Sequence, residues 1–534
     1  MHDLLYDELI GVRTPHGLRR LSLPALLAAL SRGEVDGYTG LRAHQADPWH
    51  VFLVQLAASI QARYPVDQPP DDESYWRTGL LDLADGQRSA WSLFVEDVTL
   101  PAFFQHPWAS WDADSDQYDL MASTPDELDV LITSKNHDVK MSRVDAEAVE
   151  AWIFALMTLQ TTTGYLGSGR YGIVRMNSGN GSRSIVSWVR DLHPSKRFQE
   201  ELIVVNSLRQ ETISKLGYRD RGTVLTWLTH WQRDDHQHML GDLEPWFIEA
   251  ARPLRVRCAK NGQLVVLRAV SRNRQIGPKK PDGGDVGDPW TPIHLNGKKE
   301  RAALTVSEKS GYLGVEQLTA LLFEQGFELT PLQRPRLQPG AGWFTVSVLV
   351  REEGKTRGFH RLALPVPAKA CRVLCPGPVR DALAEFAQRL INDAKDVTVA
   401  LRTALTVLAE GGPDKGDFDR DAIKRWIDAL QRQFKTQWEA RFFPTLWQAT
   451  ETAPEDATAQ TFLESCEPVR LAWQHGLVAD AEQLWRAGTY RIPLPSNRRW
   501  RAVANSRGAF IGILHSRKVS LPTTSAVSRE ETLA

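Results

Sequence analysis

The sequence predicts an α+β protein, with a large mixed α/β domain over residues 1–370, a four-helix bundle over 376–518 and a disordered tail over 519–534. Three observations carry this. Helical and strand patterns mix before about residue 370. The run Pro376-Gly377-Pro378 then breaks the chain. Beyond it every apolar pattern has helical spacing. A chain of 534 residues has room for two to four domains.

In the first part, residues 48–63 and 145–160 combine helical spacing with good helix formers, and Asp145 stands as an N-cap. Residues 263–270 and 343–351 are rich in β-branched and aromatic residues and read as strands. After the break, one helix runs to Glu410 and stops at Gly411-Gly412-Pro413. A second spans about Asp419 to Thr450, with Trp426, Leu430, Phe434 and Trp438 on one face and Pro444 expected to kink it or end it early. A third is expected from Thr452-Ala453-Pro454-Glu455, where proline suits the first turn, and a fourth from about Ser496 to His515. Short links between antiparallel helices make a bundle. There is no internal repeat.

Composition bounds the function classes. Net charge is −1, so the whole chain does not announce a polyanionic partner, and any such case rests on charge distribution. Four scattered cysteines (Cys258, Cys371, Cys375 and Cys466) are too few for a disulfide framework or a four-ligand zinc site, and read as reduced thiols. The start, MHDLLYDELIGVRTPHG, carries acids where a signal peptide needs a basic and then an apolar run. No uncharged apolar run reaches membrane-spanning length. A cytoplasmic protein without a membrane segment is expected. Of the eighteen tryptophans, most should anchor the core or subunit interfaces.

The chemistry concentrates in residues 161–185, TTTGYLGSGRYGIVRMNSGNGSRSI, with glycines at 164, 167, 169, 172, 179 and 181. Gly167–Gly172 matches GxGxxG, and Asp191 follows at a spacing a dinucleotide site could use. That fingerprint needs a strand before it and a helix opening at its last glycine, whereas a helix precedes it here. A nucleotide-cofactor enzyme using residues 167–172 is therefore the weaker alternative. Glycines also let a backbone approach another polymer and expose its N–H groups. Residues 161–190 hold Arg170, Arg175, Arg183 and Arg190 and no acid, which suits a phosphate backbone or a groove floor. A plain flexible turn is the competing reading.

Two longer windows point the same way. Residues 251–281 hold nine basic residues (Arg252, Arg255, Arg257, Lys260, Arg268, Arg272, Arg274, Lys279 and Lys280) and no acidic one. Residues 491–518 hold seven (Arg491, Arg498, Arg499, Arg501, Arg507, Arg517 and Lys518) and none. Such runs are often solvated faces paired with acids elsewhere. Two of them suggest charge segregated onto surfaces that neutralise phosphates. Residues 133–143 place Lys135, Asn136, His137 and Lys140 without apolar periodicity, as base-edge bonding and stacking on an unpaired base require. Residues 351–361 read as a hairpin tip projecting Gly354, Lys355, Thr356, Arg357 and Gly358. GxxxxGK[ST], HExxH, GxSxG and paired CxxC motifs are absent, so no catalytic residue, metal site or cofactor is expected.

In order and spacing these segments resemble the CasA family, the large subunit of the type I-E CRISPR Cascade. The resemblance runs through LLYDELIGVR, PAFFQ (101–105), the helix and glycine run from Ala151 to Arg183, GDPWTPI (287–293), the 351–361 hairpin, ALRTALTVLAEG (400–411) and the helical terminus. It implies a non-catalytic subunit that partners guide RNA, target double-stranded DNA, other Cascade subunits and a helicase–nuclease effector. It implies that Gly164, Gly167 and Gly169, with Arg170 beside them, read a protospacer-adjacent motif from the minor-groove side. The family's lysine maps to Lys298 or Lys299, with Lys279 or Lys280 a weaker match. Gly354, Lys355, Thr356 and Arg357 match a strand-separating wedge, although the wedge here is basic rather than amide-rich. Lys135, Asn136, His137 and Lys140 match a loop that grips the guide 5′ handle. The helical end, with Arg498, Arg499 and Arg501, matches the part that contacts displaced DNA and helps recruit the effector. Family members with zinc-type cysteine pairs differ from this chain, which lacks them.

Overall fold

Capping chemistry and apolar spacing set where the first helices begin and end. The Ser22 hydroxyl accepts from Ala25 N ahead of Leu23–Arg32, Pro24 occupies the first turn, and Gly33 closes the helix at φ 82°. Asp72 caps Glu73–Leu83 in the same way. The computed structural model describes residues 2–118, 120–129, 148–167, 169–176, 181–232, 237–277, 282–296, 300–306, 313–335, 340–352, 355–411, 420–494 and 496–521. The chain falls into two compact units. One comprises Met1–Leu313 with Glu324–Val366, the other Gly314–Phe323 with Pro367–Ala534.

The first unit mixes helices with small sheets. Helix Ala43–Arg63 is buried over most of its length, and so is Val149–Thr162. A helix buried on every side must be enclosed by other elements, and Ala43–Arg63 packs against Val149–Thr162, Pro194–Leu216, Glu73–Leu83 and the strand Leu243–Ile248. Phe52, Phe104 and Trp227 fill the centre, with ring centroids 5.6 Å apart for the first pair and 4.5 Å for the second. Trp49, Trp76, Trp91, Trp152, Trp227, Trp246 and Trp290 are fully enclosed, so the core takes up many of the tryptophans. Val149–Thr162 starts after Ala148, while Asp145 lies outside the described residues.

The predicted strands form. Leu264–Arg268 pairs antiparallel with Leu254–Cys258 and with Leu120–Ala122. Gly342–Glu352 is the centre of an antiparallel sheet between Lys355–Val366 and Ile185–Val189, with an irregularity between Val350 and Arg351. A buried polar network fastens this sheet to the helices. Arg197 donates to Asp47 Oδ1 (2.6 Å) and Glu201 Oε1 (2.8 Å). Arg361 reaches Asp47 Oδ2 (2.8 Å), while His50 (3.0 Å) and Trp290 Nε1 (2.7 Å) meet Glu201 Oε2. Burial alone would raise the Asp47 carboxyl, but the charges of Arg197 and Arg361 hold it below the usual range.

The second unit is helical. Its described helices are Val315–Leu322, Ala368–Val373, Pro378–Ala409, Arg420–Thr452, Ala459–Arg491 and Arg499–Ser516. Pro378–Ala409 packs on each of the three long helices after it, and Arg420–Thr452 also packs on Ala459–Arg491. The 314–323 excursion into this unit was not foreseen from sequence. Four further details differ from expectation. Arg420–Thr452 runs unbroken through Pro444. Interior proline costs a helix about 3 kcal/mol, but Phe442, Phe443, Leu446 and Trp447 are buried on either side of it and hold the helix together. The next helix begins at Ala459, because Thr458 rather than the Pro454 turn supplies the cap, accepting from Thr461 N at 3.2 Å. Of the face expected from Trp426 to Trp438, Leu430, Phe434 and Trp438 are buried and Trp426 is exposed. Val519 is also buried, and Ser520 N donates to Gln474, so these two residues belong to the packed unit rather than to a tail.

The Asp47 network predicts a measurable stability difference. Asp47→Ala should destabilise the fold by roughly 3–5 kcal/mol in urea titration, because two guanidinium groups lose a buried acceptor. The Asp47 pKa is depressed in the fold, so its contribution is present above about pH 4 and disappears as pH falls further. Near-equal stability of the two proteins at pH 7 would remove Asp47 from that role.

Candidate nucleic-acid interface

Helix Val149–Thr162 ends into the glycine run, and the glycines divide into two kinds. Gly164 is buried, and a Cβ built there would sit 1.6 Å from Gly181 O. A Cβ on Gly172 would lie 2.6 Å from Gly164 Cα. Gly164, Gly172 and Gly181 therefore sit where the backbone crosses itself. Gly164, expected from sequence to face a groove, is an interior packing position.

Gly167 and Gly169 form the outer turn. Their φ angles are +129° and +68°, which L side chains rarely adopt. Leu166 N donates to Arg170 O (3.0 Å) and Arg170 N to Gly167 O (2.9 Å). A Cβ on Gly167 would meet nothing within 4 Å, and Arg170 and Tyr171 are exposed. Ser271 fastens the turn from beneath, accepting from Tyr171 N (2.8 Å) and donating to Gly169 O (3.0 Å). The element before GxGxxG is a helix, and Gly172 opens no helix, so the dinucleotide geometry is not formed.

The four arginines of this stretch also separate. Arg183 donates two bonds to Asp288, at 2.7 and 2.8 Å, and both groups are about 2% exposed. Arg175 lies over the Phe247 ring at 3.7 Å and donates to Phe247 O. Burial tends to raise Asp288, yet Arg183 and then Arg175 hold it below the usual carboxylate range. Glu249 is buried beneath residues 171–176 and accepts from Val174 N at 2.9 Å. Burial pushes its carboxyl up to about 7 against the pull of Arg175. Only Arg170 and Arg190 are exposed, and Arg190 sits 4.0 Å from Glu200.

The 251–281 window does not form a continuous basic surface, contrary to expectation. Arg252 is buried and donates to Leu159 O (2.6 Å), Thr163 O (2.9 Å) and Gly164 O. Arg255 is fully buried and donates to Leu100 O and Asp97 O, both at 2.9 Å. These side chains satisfy backbone carbonyls at chain reversals, a role that a window free of acids does not reveal. Arg257 covers the Trp111 ring at 5.1 Å, while Lys260 and Arg272 are exposed.

Several expected contacts lie outside the described residues: Lys135, Asn136, His137 and Lys140, Lys279 and Lys280, Lys298 and Lys299, and Gly354. The first group follows an anchored point, for Asp129 accepts from Arg42 (2.6 Å) and bonds His44 Nε2 (2.7 Å). Lys355, Thr356 and Arg357 lie on the strand returning from the hairpin tip. Lys355 stands opposite Glu352 and Thr356 opposite Arg351, and Arg357 falls at the irregularity before Gly358 meets Val350. Thr356 is buried, so it does not project as a wedge residue.

In the helical unit all seven cations of the 491–518 window are exposed. Arg517 pairs with Asp396 at 3.3 Å, and Arg507 lies 3.9 Å from Glu482. Arg499 lies 5.9 Å from the Tyr490 ring. Tyr490 is 81% and Trp500 86% exposed, aromatic faces that sequence reasoning missed. Their signal was the interleaving of Tyr490 and Trp500 with Arg491, Arg498, Arg499 and Arg501. Among the described residues no group of three or more His, Cys, Asp or Glu could hold a metal, and the four cysteines are free thiols.

The packing around the crossing sets two stability differences. Gly164→Ala should cost about 1–3 kcal/mol of stability through overpacking, read by urea denaturation, and an unaltered midpoint would contradict the crossing. Glu249→Gln should gain about 3 kcal/mol relative to wild type as pH rises from about 4.5 to about 8. A raised carboxyl stabilises the fold below its unfolded pKa, and that contribution is lost as pH rises through about 7. A difference that does not change with pH would sink the second prediction.

No family model matches the sequence, and no curated protein matches it. Solved structures do. Cse1 from Acidimicrobium ferrooxidans superposes with a TM-score of 0.64 at 13% identity, over 97% of this chain and 98% of that one. CasA from Thermus thermophilus gives 0.61 at 14%, over 96% and 99%. A structure described as a CRISPR RNA-guided surveillance complex gives 0.55 at 13%, over 95% and 99%. From one end to nearly the other, the chain has the fold of the Cse1/CasA proteins.

Proposed function

We propose that this protein is the large, non-catalytic subunit of a type I-E CRISPR Cascade surveillance complex. In that role it holds guide RNA together with the other subunits, recognises the protospacer-adjacent motif in double-stranded DNA, helps strand separation and recruits the helicase–nuclease. The observation that carries this reading is the outer turn, with open Gly167 and exposed Arg170, on a Cse1/CasA-like fold. An open glycine backbone can lie in a narrow groove where side chains would collide. Minor-groove readout is degenerate, which suits a protein that accepts several related motifs, and guide pairing reads the long sequence. A neighbour described as an RNA-guided surveillance complex supports guide RNA and Cascade subunits as partners.

Within this reading Gly167, Gly169 and Arg170 face the motif, Lys298 or Lys299 supplies the family's lysine, and Lys355 and Arg357 flank the wedge. Lys135, Asn136, His137 and Lys140 grip the guide handle. The four long helices act as a bundle whose Arg498, Arg499 and Arg501 meet displaced DNA. The site of action is the cytoplasm. No described helix is long and apolar enough to cross a membrane.

The test is a guide-loaded complex titrated with duplexes carrying a motif library. A preference among motifs is expected, and equal binding to every motif would refute motif reading. Gly167→Asp should weaken target binding on the order of tenfold or more in a folded protein, since it adds a Cβ and a negative charge where DNA approaches. Replacing Arg498, Arg499 and Arg501 together should flatten the salt dependence of binding, and an unaltered slope would remove them from the DNA surface.

A further inference from the structure

Beneath the outer glycine turn lies a cavity of about 60 Å³, lined by Arg170, Arg252, Arg268 and Ser271 among apolar walls that include Leu159 and Leu166. One water needs roughly 10–15 Å³ on this measure, so the space holds a compact polyatomic group. Among the described residues no carboxylate lines it. Arg252 is committed to three backbone carbonyls. Arg268 ends the strand Leu264–Arg268, opposite Leu254 and Leu120, and Arg170 comes from the turn.

Arg170 and Arg268 differ from the other arginines of this unit that lie in polar interiors. Arg183 has Asp288, Arg197 has Asp47 and Glu201, and Arg209 has Glu244. Among the described residues neither Arg170 nor Arg268 makes an ion pair or a side-chain hydrogen bond, and Arg268 Nε is buried without an acceptor. Burial, and then the charge of Arg170, holds Arg268 below the ordinary arginine range, and Glu127 offsets this without forming an ion pair. Two cations without ion-pair partners share a half-enclosed space that, among the described residues, no carboxylate lines. Guanidinium forks bind tetrahedral oxyanions through paired N–H groups.

We propose that this cavity is a phosphate site, in which Arg170 and Arg268 grip one backbone phosphate of the target duplex and so fix how the Gly167–Gly169 turn enters the groove. The proposal deepens the motif-recognition reading and rests on it for the identity of the duplex. Arg268 acts on the backbone, so it carries register rather than sequence preference.

The test uses the guide-loaded complex with Arg268→Gln, Arg170→Gln and Arg268→Lys. Affinity is measured against salt for a favoured and an unfavoured motif. Each glutamine variant should weaken both duplexes by a similar factor, on the order of tenfold, and reduce the log–log salt slope by about 1. Arg268→Lys should recover the slope but only part of the affinity. The melting temperature of Arg268→Gln should equal or exceed that of wild type, because a partly buried cation without an ion pair is removed; a purely structural arginine would lower it. A salt slope unchanged in both folded glutamine variants overturns the proposal. So does a slope loss confined to guide RNA loading. Stabilisation of wild type by inorganic phosphate at matched ionic strength, lost in Arg268→Gln while duplex binding is unaffected, would assign a free anion and overturn the backbone assignment. If wild type binds all motifs equally yet the slope still falls in Arg268→Gln, motif reading fails and the phosphate site stands.

Discussion

The ion pair between Arg183 and Asp288 fixes the return path of the glycine run, and the geometry of the outer turn depends on it. Two groups about 2% exposed must offset a desolvation cost of several kcal/mol each. They do so through a two-bond fork, with Thr291 Oγ1 donating to the same carboxylate at 2.9 Å. Thr291 Oγ1 also lies 2.9 Å from Ser184 O, and Val186 N donates to Trp290 O at 2.8 Å. The GDPWTPI segment is thus a socket for the chain leaving the glycine run. With Gly164 pressed on Gly181 at the crossing, Gly167 and Gly169 are held out on a fastened stem. Glycine is required at 164 for space, at 167 for backbone conformation, and at 169 for both, since a Cβ there would lie 2.6 Å from Val270 Cγ1; of the three, Gly167 is the one open to its surroundings.

Burial sorts the arginines more sharply than sequence windows can. Arg252 and Arg255 cap carbonyls at chain reversals, which places a delocalised cation where several acceptors converge. Arg183 and Arg197 hold elements together through carboxylates. What remains exposed in the first unit near the turn is Arg170 and Arg272. The acid-free windows at 161–190 and 251–281 therefore mark an interior rich in arginine and converging carbonyls as much as a surface.

That explains which parts were legible in the sequence. The strands Leu264–Arg268 and Gly342–Glu352 and the stop of Pro378–Ala409 at Glu410 follow from local composition and capping, which act within a few residues. Seeing a helical C-terminal region needed only the same local signals. The role of a side chain depends on distant partners: Asp288 lies 105 positions from Arg183, and the carbonyls met by Arg252 lie 88–93 positions away. Linear charge counting cannot weigh such pairs. The same limit applies to Pro444, where packing by Phe443 and Trp447 outweighs a local breaker. It applies to Thr356 as well, whose burial is decided by strand register.

The start of helix Arg499–Ser516 carries the clearest conflict between stability and composition. Arg498 precedes it with no side-chain cap, Arg499 and Arg501 stand in its first turn, and that turn itself contains no acidic residue. A helix N-terminus is a partial positive charge, so each nearby cation costs about 0.3–1 kcal/mol where an anion would gain that amount. Trp500, 86% exposed beside them, adds unburied apolar area. Neither feature helps the isolated unit fold. Both change sign against a polyanion with exposed bases, because phosphates reverse the electrostatic contribution and stacking covers the ring. Two local rules broken together at one exposed end accord with the DNA-contacting role proposed above for Arg498, Arg499 and Arg501.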